Sequence, residues 1–271
     1  FVIAEGYLRE GATVVLSSRS PDSVRDAVNA LREKGYECRG IVCDVQSLQS
    51  VDALARFALS QFDKIDIWVN NAGIAGTYGP TIDIPMDRFN SVLQTNIMGV
   101  YYGSTIAMRH FLDHNQGKLI NVLGHGAREI VPFQNAYASS KGWIRKFSLT
   151  LAKEYTNTNV GVYTFHPGMV DTELLRTLEV VEGWEQRLQP FKFFIRIFAK
   201  KPKDIVEKAI WLASSATDGR TGLEVRVSKP ASMIGRVIKE GINRLLQRPV
   251  EEVELKITSV PSSREDTIQS S

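Results

Sequence analysis

The stretch Tyr137-Ala138-Ser139-Ser140-Lys141 decides how the rest of this chain is interpreted. It lies within a predicted helix from Gln134 to Tyr155, where a tyrosine and a lysine four residues apart project from the same side. A free phenol titrates near about 10, so it is a poor acid–base group at neutral pH unless a fixed cation favours the phenolate. Lys141 can supply that cation, and the spacing therefore predicts an acid–base pair on one helix.

Predicted strands and helices alternate along most of the chain. Continuous apolar, β-branched runs such as Ala12–Ser17 are typical of parallel strands that are covered on both faces. The patterns predict strands over 12–17, 37–43, 66–69, 118–123, 161–165 and 223–227, and helices over 1–11, 20–35, 87–114, 134–155 and 203–213. This alternation predicts the α/β class with a parallel sheet.

Three further motifs stand in order along the chain around the Tyr–Lys pair. Asn70-Asn71-Ala72-Gly73 follows a predicted strand, and its small residues let the backbone approach a ligand closely. Asn96, with Gly99 three residues later, lies in a long helical pattern. Pro167-Gly168-Met169-Val170-Asp171-Thr172 follows another predicted strand.

With these motifs the chain resembles the classical short-chain dehydrogenase/reductase family from Phe1 to about Gly222. The resemblance implies a Rossmann-like doubly wound parallel sheet flanked by helices. It also implies an oxidoreductase that interconverts a small-molecule carbonyl and an alcohol by hydride transfer, commonly as a homodimer or homotetramer. Tyr137 is then the proton-transferring residue, Lys141 lowers its pKa and binds ribose, and Asn96 supports the proton relay.

The resemblance also assigns the contacts to the cofactor. They are Asp44 and Val45 near the adenine, the Asn71-Ala72-Gly73 turn, Tyr137 and Lys141, and Pro167, Gly168, Val170 and Thr172 near the nicotinamide. For Asp44 and Thr172 the residue type alone leaves a second interpretation open, because both are good helix caps.

Ser18 and Arg19 end the predicted strand where a family member that prefers NAD would place an acidic residue. The guanidinium of Arg19 suits a 2′-phosphate, so NADP (NADPH) is the predicted cofactor. The alternative is that Arg19 is a solvated charge after a strand.

The chain departs from the family at Gly124, which falls where the count back from Tyr137 expects the catalytic serine. Glycine has no side chain to donate a hydrogen bond to the substrate oxygen. Either His125 supplies that donor, or the substrate carries its own polar group, or the enzyme is weakened or inactive. Activity is expected, and the alternative function is a non-catalytic or weakened NADP-binding or sensing protein.

The beginning of the sequence is expected to be incomplete. Phe1 to Gly11 has the pattern of the second half of a helix. A dinucleotide-binding unit places a strand and a Gly-rich turn before such a helix, where backbone N–H groups hold the pyrophosphate. Because neither precedes this helix, we expect the sequence to be a fragment that lacks the family's first strand and Gly-rich loop.

The later part of the chain contains the family's substrate lid region, over 173–201. The run from Pro190 to Lys201 is apolar with interspersed basic residues, which suits a pocket for a bulky, lipophilic substrate, a subunit contact or a membrane surface. The segment Leu123–Ala127 is similar to one in reductases of large tetrapyrroles. We expect residues 1–228 to form the NADP-binding domain and 229–271 to form a C-terminal extension, with an amphipathic helix over 232–247, an edge strand over 253–257 and a disordered end over 262–271.

Composition excludes several other classes of protein. The 271 residues carry a formal charge of +3 without a Lys/Arg block, so nucleic acid is not an expected partner. Cys38 and Cys43 lie in one predicted strand and point to opposite faces, which predicts two reduced thiols and no metal site. The sequence has neither an apolar run of about 18 residues nor a signal-peptide pattern, so a cytoplasmic protein is expected.

Overall fold

The computed structural model describes residues 1–200, 205–227 and 253–263. The predicted helix over 232–247 and residues 264–271 of the predicted disordered end lie outside the described residues. None of the helices in the described ranges is long and apolar enough to cross a membrane.

Nine strands are found in the described residues. They are β1 Val14–Ser18, β2 Cys38–Val42, β3 Ile67–Asn70, β4 Thr77–Tyr78, β5 Gly117–Val122, β6 Val160–His166, β7 Thr177–Val181, β8 Leu223–Arg226 and β9 Lys256–Val260. All the pairings between them are parallel. The strands that were predicted from apolar runs are thus confirmed within one or two residues at most ends.

The α-helices are α1 Val2–Arg9, α2 Pro21–Arg32, α3 Leu48–Phe62, α4 Met86–Val92, α5 Gly99–Asp113, α6 Asn135–Glu154, α7 Glu173–Arg176, α8 Gln189–Phe198 and α9 Val206–Ala213. Single 3₁₀ turns lie at Thr81–Asp83, Glu185–Leu188 and Ser215–Thr217. The start of α2 is capped as predicted, because Ser20 accepts a hydrogen bond from the Ser23 backbone at 3.2 Å. The long predicted helix around Asn96 is present, but a π-helical segment, Leu93–Met98, joins its two α-helical parts.

The strands form three hydrogen-bonded ladders. β1 pairs with β2, and the order β3-β5-β6-β8 makes a second ladder. Helices cover both faces of the second ladder: α1 and α9 pack on one side around Tyr7, Tyr163 and Phe165, and α3, α5 and α6 pack on the other around Phe111 and Leu119. This is the doubly wound Rossmann-like architecture that the sequence predicts.

The third ladder, of order β4-β7-β9, corrects the sequence analysis. β4 and β7 are not predicted from the sequence. The strand expected over 253–257 is found at Lys256–Val260, at the edge of this ladder as predicted. Short strands of mixed polarity carry little periodicity, so their pairing with distant partners is what defines them.

Candidate active site

The predicted site residues meet because their segments leave adjacent strands at the same end of the sheet. In a parallel ladder the carboxyl ends of β3, β5 and β6 lie side by side. A buried polar network fixes this end: Asn70 donates to Asn121 at 2.8 Å, and Asn121 donates to Ser148 of α6 at 2.9 Å. The first asparagine of the Asn-Asn-Ala-Gly motif therefore links β3 to β5 at the centre of the sheet.

Tyr137 and Lys141 lie one turn apart on α6 and face the same site. The Lys141 ammonium is 5.6 Å from the centre of the Tyr137 ring. Lys141 is only 5% exposed, and its Nζ atom donates to the Val122 carbonyl at 3.2 Å. The helix and the end of β5 thus hold the lysine against the tyrosine, as the four-residue spacing predicts.

The pKa values of this pair differ from the sequence expectation. Burial raises the pKa of Tyr137 to about 12 and lowers the pKa of Lys141 to about 8. The sequence predicted a phenol whose pKa the lysine lowers. In the protein alone the loss of hydration disfavours both charged forms, and this cost exceeds the attraction of the ammonium for the phenolate.

Asn96 is fully buried in the π-helical segment, and its side chain forms hydrogen bonds with other protein groups. Its amide nitrogen donates to the Ile74 carbonyl and to the Ser140 hydroxyl, both at 3.0 Å. Its oxygen accepts from the Ile74 backbone at 2.9 Å. Asn96 therefore joins the turn after Gly73 to α6.

Gly73 lies directly beside these groups. A Cβ atom on Gly73 would lie 3.2 Å from Asn96 Oδ1 and 3.5 Å from Lys141 Nζ. Asn71 and Ala72 are exposed at this edge. The structure brings the turn, Asn96 and Lys141 together as the sequence predicts.

The two residues that were assigned to the adenine end lie at the end of β2. The Asp44 carboxylate accepts from the Gln46 backbone at 3.0 Å, and Ser47 is the cap of α3. The alternative that Asp44 caps that helix is therefore wrong. Val45 packs on Gly99 of α5, where a Cβ atom would lie 2.8 Å from a Val45 methyl group.

The Pro167–Thr172 segment follows β6. Gly168 has φ +80°, a left-handed conformation that favours glycine. The Thr172 hydroxyl donates to the Val170 carbonyl at 3.3 Å, although Thr172 occupies the cap position of α7. Its side chain therefore does not cap that helix, which corrects the second interpretation.

A cleft of about 470 Å³ lies beside Thr172. Its lining is charged and polar: Asp171, Thr172, Glu173, Arg176, Thr177, Glu254 and Lys256. The sequence predicted an apolar lid region, and the polar lining of this cleft differs from that prediction. It arises because β9 places residues from the end of the chain next to α7.

Arg19 is exposed at the end of β1. Its guanidinium forms no hydrogen bond or ion pair with the residues that the structure describes. It is therefore available to an anion, but it lies on the β1–β2 ladder and not beside Tyr137.

The structure shows no serine hydroxyl at the position of Gly124. A Cβ atom there would overlap the Tyr137 hydroxyl and lie 3.3 Å from Lys141 Cε. His125 is exposed and, within the described part of the chain, makes no hydrogen bond to Tyr137. The structure thus adds no support to His125 as the replacement donor.

Sequence reasoning missed His166, the last residue of β6. It is 7% exposed, and its Nδ1 atom accepts from the Gly168 backbone at 3.0 Å. Its buried Nε2 atom has no hydrogen-bond partner among the described residues. Burial and the nearby Arg226 lower its pKa to about 4. The signal in the sequence was a histidine directly before Pro167-Gly168, but its burial is a tertiary property.

These residues fit a nicotinamide dinucleotide. A Cβ atom on Gly73 or Gly168 would crowd neighbouring protein groups, so glycine keeps the backbone close to them, and Asn71 and Arg19 present exposed polar side chains. Among the described residues, no three His, Cys, Asp or Glu side chains lie close enough to hold a metal ion. The fold and the site define an NAD(P)-dependent oxidoreductase.

The chain belongs to the short chain dehydrogenase family, whose model matches residues 1–182. It is 32% identical over 224 residues to 3beta-hydroxysteroid dehydrogenase 1 of Eggerthella lenta, covering 81% of this chain and 84% of that protein. It is 33% identical over 193 residues to "Probable chlorophyll(ide) b reductase NYC1, chloroplastic" of Oryza sativa, covering 64% of this chain and 38% of that protein. The crystal structure of 3-ketoacyl-(acyl-carrier-protein) reductase from Brucella melitensis complexed with NADH matches with a TM-score of 0.74 and 26% identity, covering 85% of this chain and 92% of that one.

Proposed function

We propose that this protein is an NADP-dependent oxidoreductase that interconverts a bulky carbonyl and the corresponding alcohol. The observation that carries the proposal is the convergence of Tyr137, Lys141, Asn96 and Gly73 at one end of the sheet. When bound, the nicotinamide supplies or accepts the hydride. The residues of the chain supply the proton and hold the groups in place.

Tyr137 is the proposed proton donor to the carbonyl oxygen. With a pKa of about 12 its hydroxyl stays protonated at neutral pH, which suits reduction. Lys141, with a pKa of about 8, is mostly cationic at pH 7 and stabilises the phenolate that forms as the proton leaves. Asn96 holds the turn after Gly73 and the catalytic helix in register.

The proposed cofactor contacts are those that the sequence assigns. Arg19 would hold the 2′-phosphate, since its guanidinium is exposed and makes no contact in the described residues. Asp44 and Val45 would hold the adenine end, and Pro167, Gly168, Val170 and Thr172 the nicotinamide end. Asn71, Ala72 and Gly73 directly follow β3, at the carboxyl end of that strand.

The remaining parts of the proposal concern the substrate and the assembly. Two relatives are named for steroid and chlorophyll(ide) substrates, and the exposed Phe194 of α8 supports a large apolar substrate. We further propose a homodimer or homotetramer, and a reducing, cytoplasmic location that the free thiols Cys38 and Cys43 favour. Residues 1–228 form the proposed cofactor-binding domain, with 229–271 as an extension whose strand β9 pairs with β7.

The test uses the full-length protein and two variants. Tyr137→Phe should lower kcat about 100-fold to 10,000-fold on a carbonyl substrate found by screening, and should leave the NADPH dissociation constant unchanged. Arg19→Ala should weaken NADPH far more than NADH, because a charge-assisted contact to phosphate is worth about 1.5–3 kcal/mol. Both dissociation constants are measured by nicotinamide fluorescence.

Each part of the proposal has an outcome that would contradict it. Wild-type turnover in Tyr137→Phe would refute the mechanism. Equal losses for NADPH and NADH in Arg19→Ala would refute the cofactor preference. Tight NADPH binding without turnover across a broad panel of carbonyl compounds would favour the alternative, a non-catalytic nucleotide-binding protein, to which the missing side chain at Gly124 points.

A further inference from the structure

The segment after β5 lies unusually close to the first turn of α6. At Gly124 a Cβ atom would overlap the Tyr137 hydroxyl and lie 3.1 Å from the ring carbon that bears it. At Gly126 a Cβ atom would lie 2.6 Å from the Ala138 Cα atom. Two glycines thus let this segment rest directly on consecutive residues of the catalytic helix.

The backbone of this segment is held from several sides. The Leu123 N–H donates to the Phe165 carbonyl at 2.8 Å, and the Ala127 N–H donates to the Gly124 carbonyl at 3.2 Å. Just beyond, Arg128 pairs with Glu224 of β8 at 2.6 Å. A side chain at position 124 would therefore displace its neighbours more readily than its own backbone.

The neighbour that can yield is the far end of Tyr137. Its backbone is fixed in α6, but its hydroxyl is the end of a side chain and moves with rotation about the side-chain bonds. Lys141 is less free, because its Nζ atom is bonded to the Val122 carbonyl and its Cε atom would be 3.3 Å from the added carbon. An added side chain would therefore move the Tyr137 hydroxyl away from its place.

We propose that Gly124 is a positioning residue: its lack of a side chain creates the space in which the Tyr137 hydroxyl lies, so a serine at this position would displace that hydroxyl and impair the reaction. This inference rests on the proposed function of Tyr137. Its consequence is that restoring the residue that the family resemblance expects does not restore a stronger enzyme. The Tyr137 hydroxyl then serves as both proton donor and hydrogen-bond donor to the substrate oxygen.

The first test compares Gly124→Ala and Gly124→Ser with a matched glycine variant. Gly124 does not have a positive φ, so these substitutions test space and not backbone strain. Gly142, on the same helix, is the control, because a Cβ atom there meets only the Gly126 carbonyl oxygen at 3.8 Å. Both Gly124 variants should lower kcat about 100-fold, as displacement of a reacting group by about 1 Å can do, while Gly142→Ala retains wild-type kcat.

Three further readouts separate positioning from a general loss of structure. The KM for the carbonyl substrate and the NADPH dissociation constant should change less than threefold, and the pH profile of kcat in the Gly124 variants should shift because the phenol has moved. A Gly124→Ser variant with kcat equal to or above the wild type would overturn the inference. Wild-type turnover in Tyr137→Phe would instead overturn the proposed function itself, so the two failures are distinguishable.

A thermal double-mutant cycle keeps the inference falsifiable if turnover is too low to measure. Gly124→Ala should lower Tm in the wild-type background by more than in the Tyr137→Phe background, because removal of the hydroxyl removes the overlapping atom. Equal decreases in Tm in the two backgrounds would show that the added carbon does not meet the hydroxyl. That result would overturn the inference.

Discussion

The proposed catalytic centre and the outer sheet of this protein differ in the kind of side chain that they bury. The proposed catalytic centre, which we define as Asn96, Gly124, Tyr137, Lys141 and His166, buries polar and ionisable groups against the carboxyl ends of the central strands. The outer sheet consists of β4, β7 and β9 with the adjoining helix α8. It buries ordinary apolar side chains, and its core is formed by Leu178, Val180 and Leu188 with Tyr78, Trp184, Phe191, Leu255 and Ile257 around them.

The buried groups of the centre lower the stability of the fold, whereas those of the outer sheet raise it. In the centre, burial disfavours the charged forms of Lys141 and His166, and within the described part of the chain the His166 Nε2 atom has no hydrogen-bond partner. Each of these features costs stability and is retained beside the proposed reacting groups. The outer sheet instead shields apolar surface, and Glu179 of its middle strand β7 forms an ion pair with Arg88 of α4. Substitutions in the centre should therefore affect kcat and pH dependence, whereas those around the outer sheet should affect KM and stability.

The largest effect is expected for Lys141→Met. Loss of the cation should lower kcat about 100-fold to 10,000-fold, as for removal of an acid–base partner. The same variant should lose a pH-dependent term in stability. Because the folded pKa, about 8, lies below the ordinary 10.5, the unfolded state binds more protons between these values, and the wild type gains about 3 kcal/mol as pH rises from 8 to 10.5.

The measurement is the urea unfolding free energy of wild type and Lys141→Met at pH 7.5 and at about pH 10. The gain between the two pH values should be smaller in the variant. Lys153→Met, an exposed lysine on the same helix, should keep the wild-type gain and the wild-type kcat. Identical pH dependence of the unfolding free energy in wild type and Lys141→Met would mean that the buried ammonium does not lower the stability. The contrast between the centre and the outer sheet would then not hold for Lys141.

A smaller overall effect, on stability alone, is expected for His166 in acid. Its folded pKa of about 4 lies below the ordinary 6.5, so the unfolded state binds the extra proton between these values. The stability contribution is complete above pH 6.5 and is lost as pH falls towards 4, to a limit of about 3 kcal/mol. His166→Asn should show a shallower loss of unfolding free energy between pH 7 and pH 4, measured by urea denaturation.

The exposed His114 provides the matched control for this prediction. His114→Asn should retain the acid sensitivity of the wild type, because the side chain is exposed and lies outside the buried centre. If His166→Asn loses stability in acid as steeply as the wild type does, the histidine is not a source of acid sensitivity. The energetic contrast between the centre and the outer sheet would then rest on Lys141 alone.

The smallest effect is expected on α8, next to the outer sheet. Phe194 is 44% exposed and stacks on Phe198 with ring centres 5.9 Å apart. One apolar side chain in a substrate pocket is worth about 1–3 kcal/mol of discrimination, so Phe194→Ser should raise KM for a long-chain substrate at least about fivefold more than for a short one. The value of kcat should stay near that of the wild type. Equal changes in KM for both chain lengths would place this face at a subunit or membrane contact.

Much of the catalytic centre was predictable because its signals are local. The four-residue spacing of Tyr137 and Lys141 fixes their common side on any helix, and Ser20-Pro21 marks a helix start by its own chemistry. Apolar runs locate β5 and β6, and the order of the motifs after strands brings them to one edge. None of these inferences requires a distant contact.

The tertiary structure decided the properties that depend on distant neighbours. β4 and β7 are too short and too mixed in polarity to be recognised alone, and they become strands by pairing with each other. The space at Gly124 exists only because α6 returns over the end of β5. The pKa values of Tyr137 and Lys141 likewise follow from how much hydration the packed fold removes. The sequence by itself determined which of the proposed reacting groups lie on the same side of their elements, because helical and strand periodicities are short-range. Burial and strand pairing are set by segments far apart in the chain, so only the tertiary structure decided them.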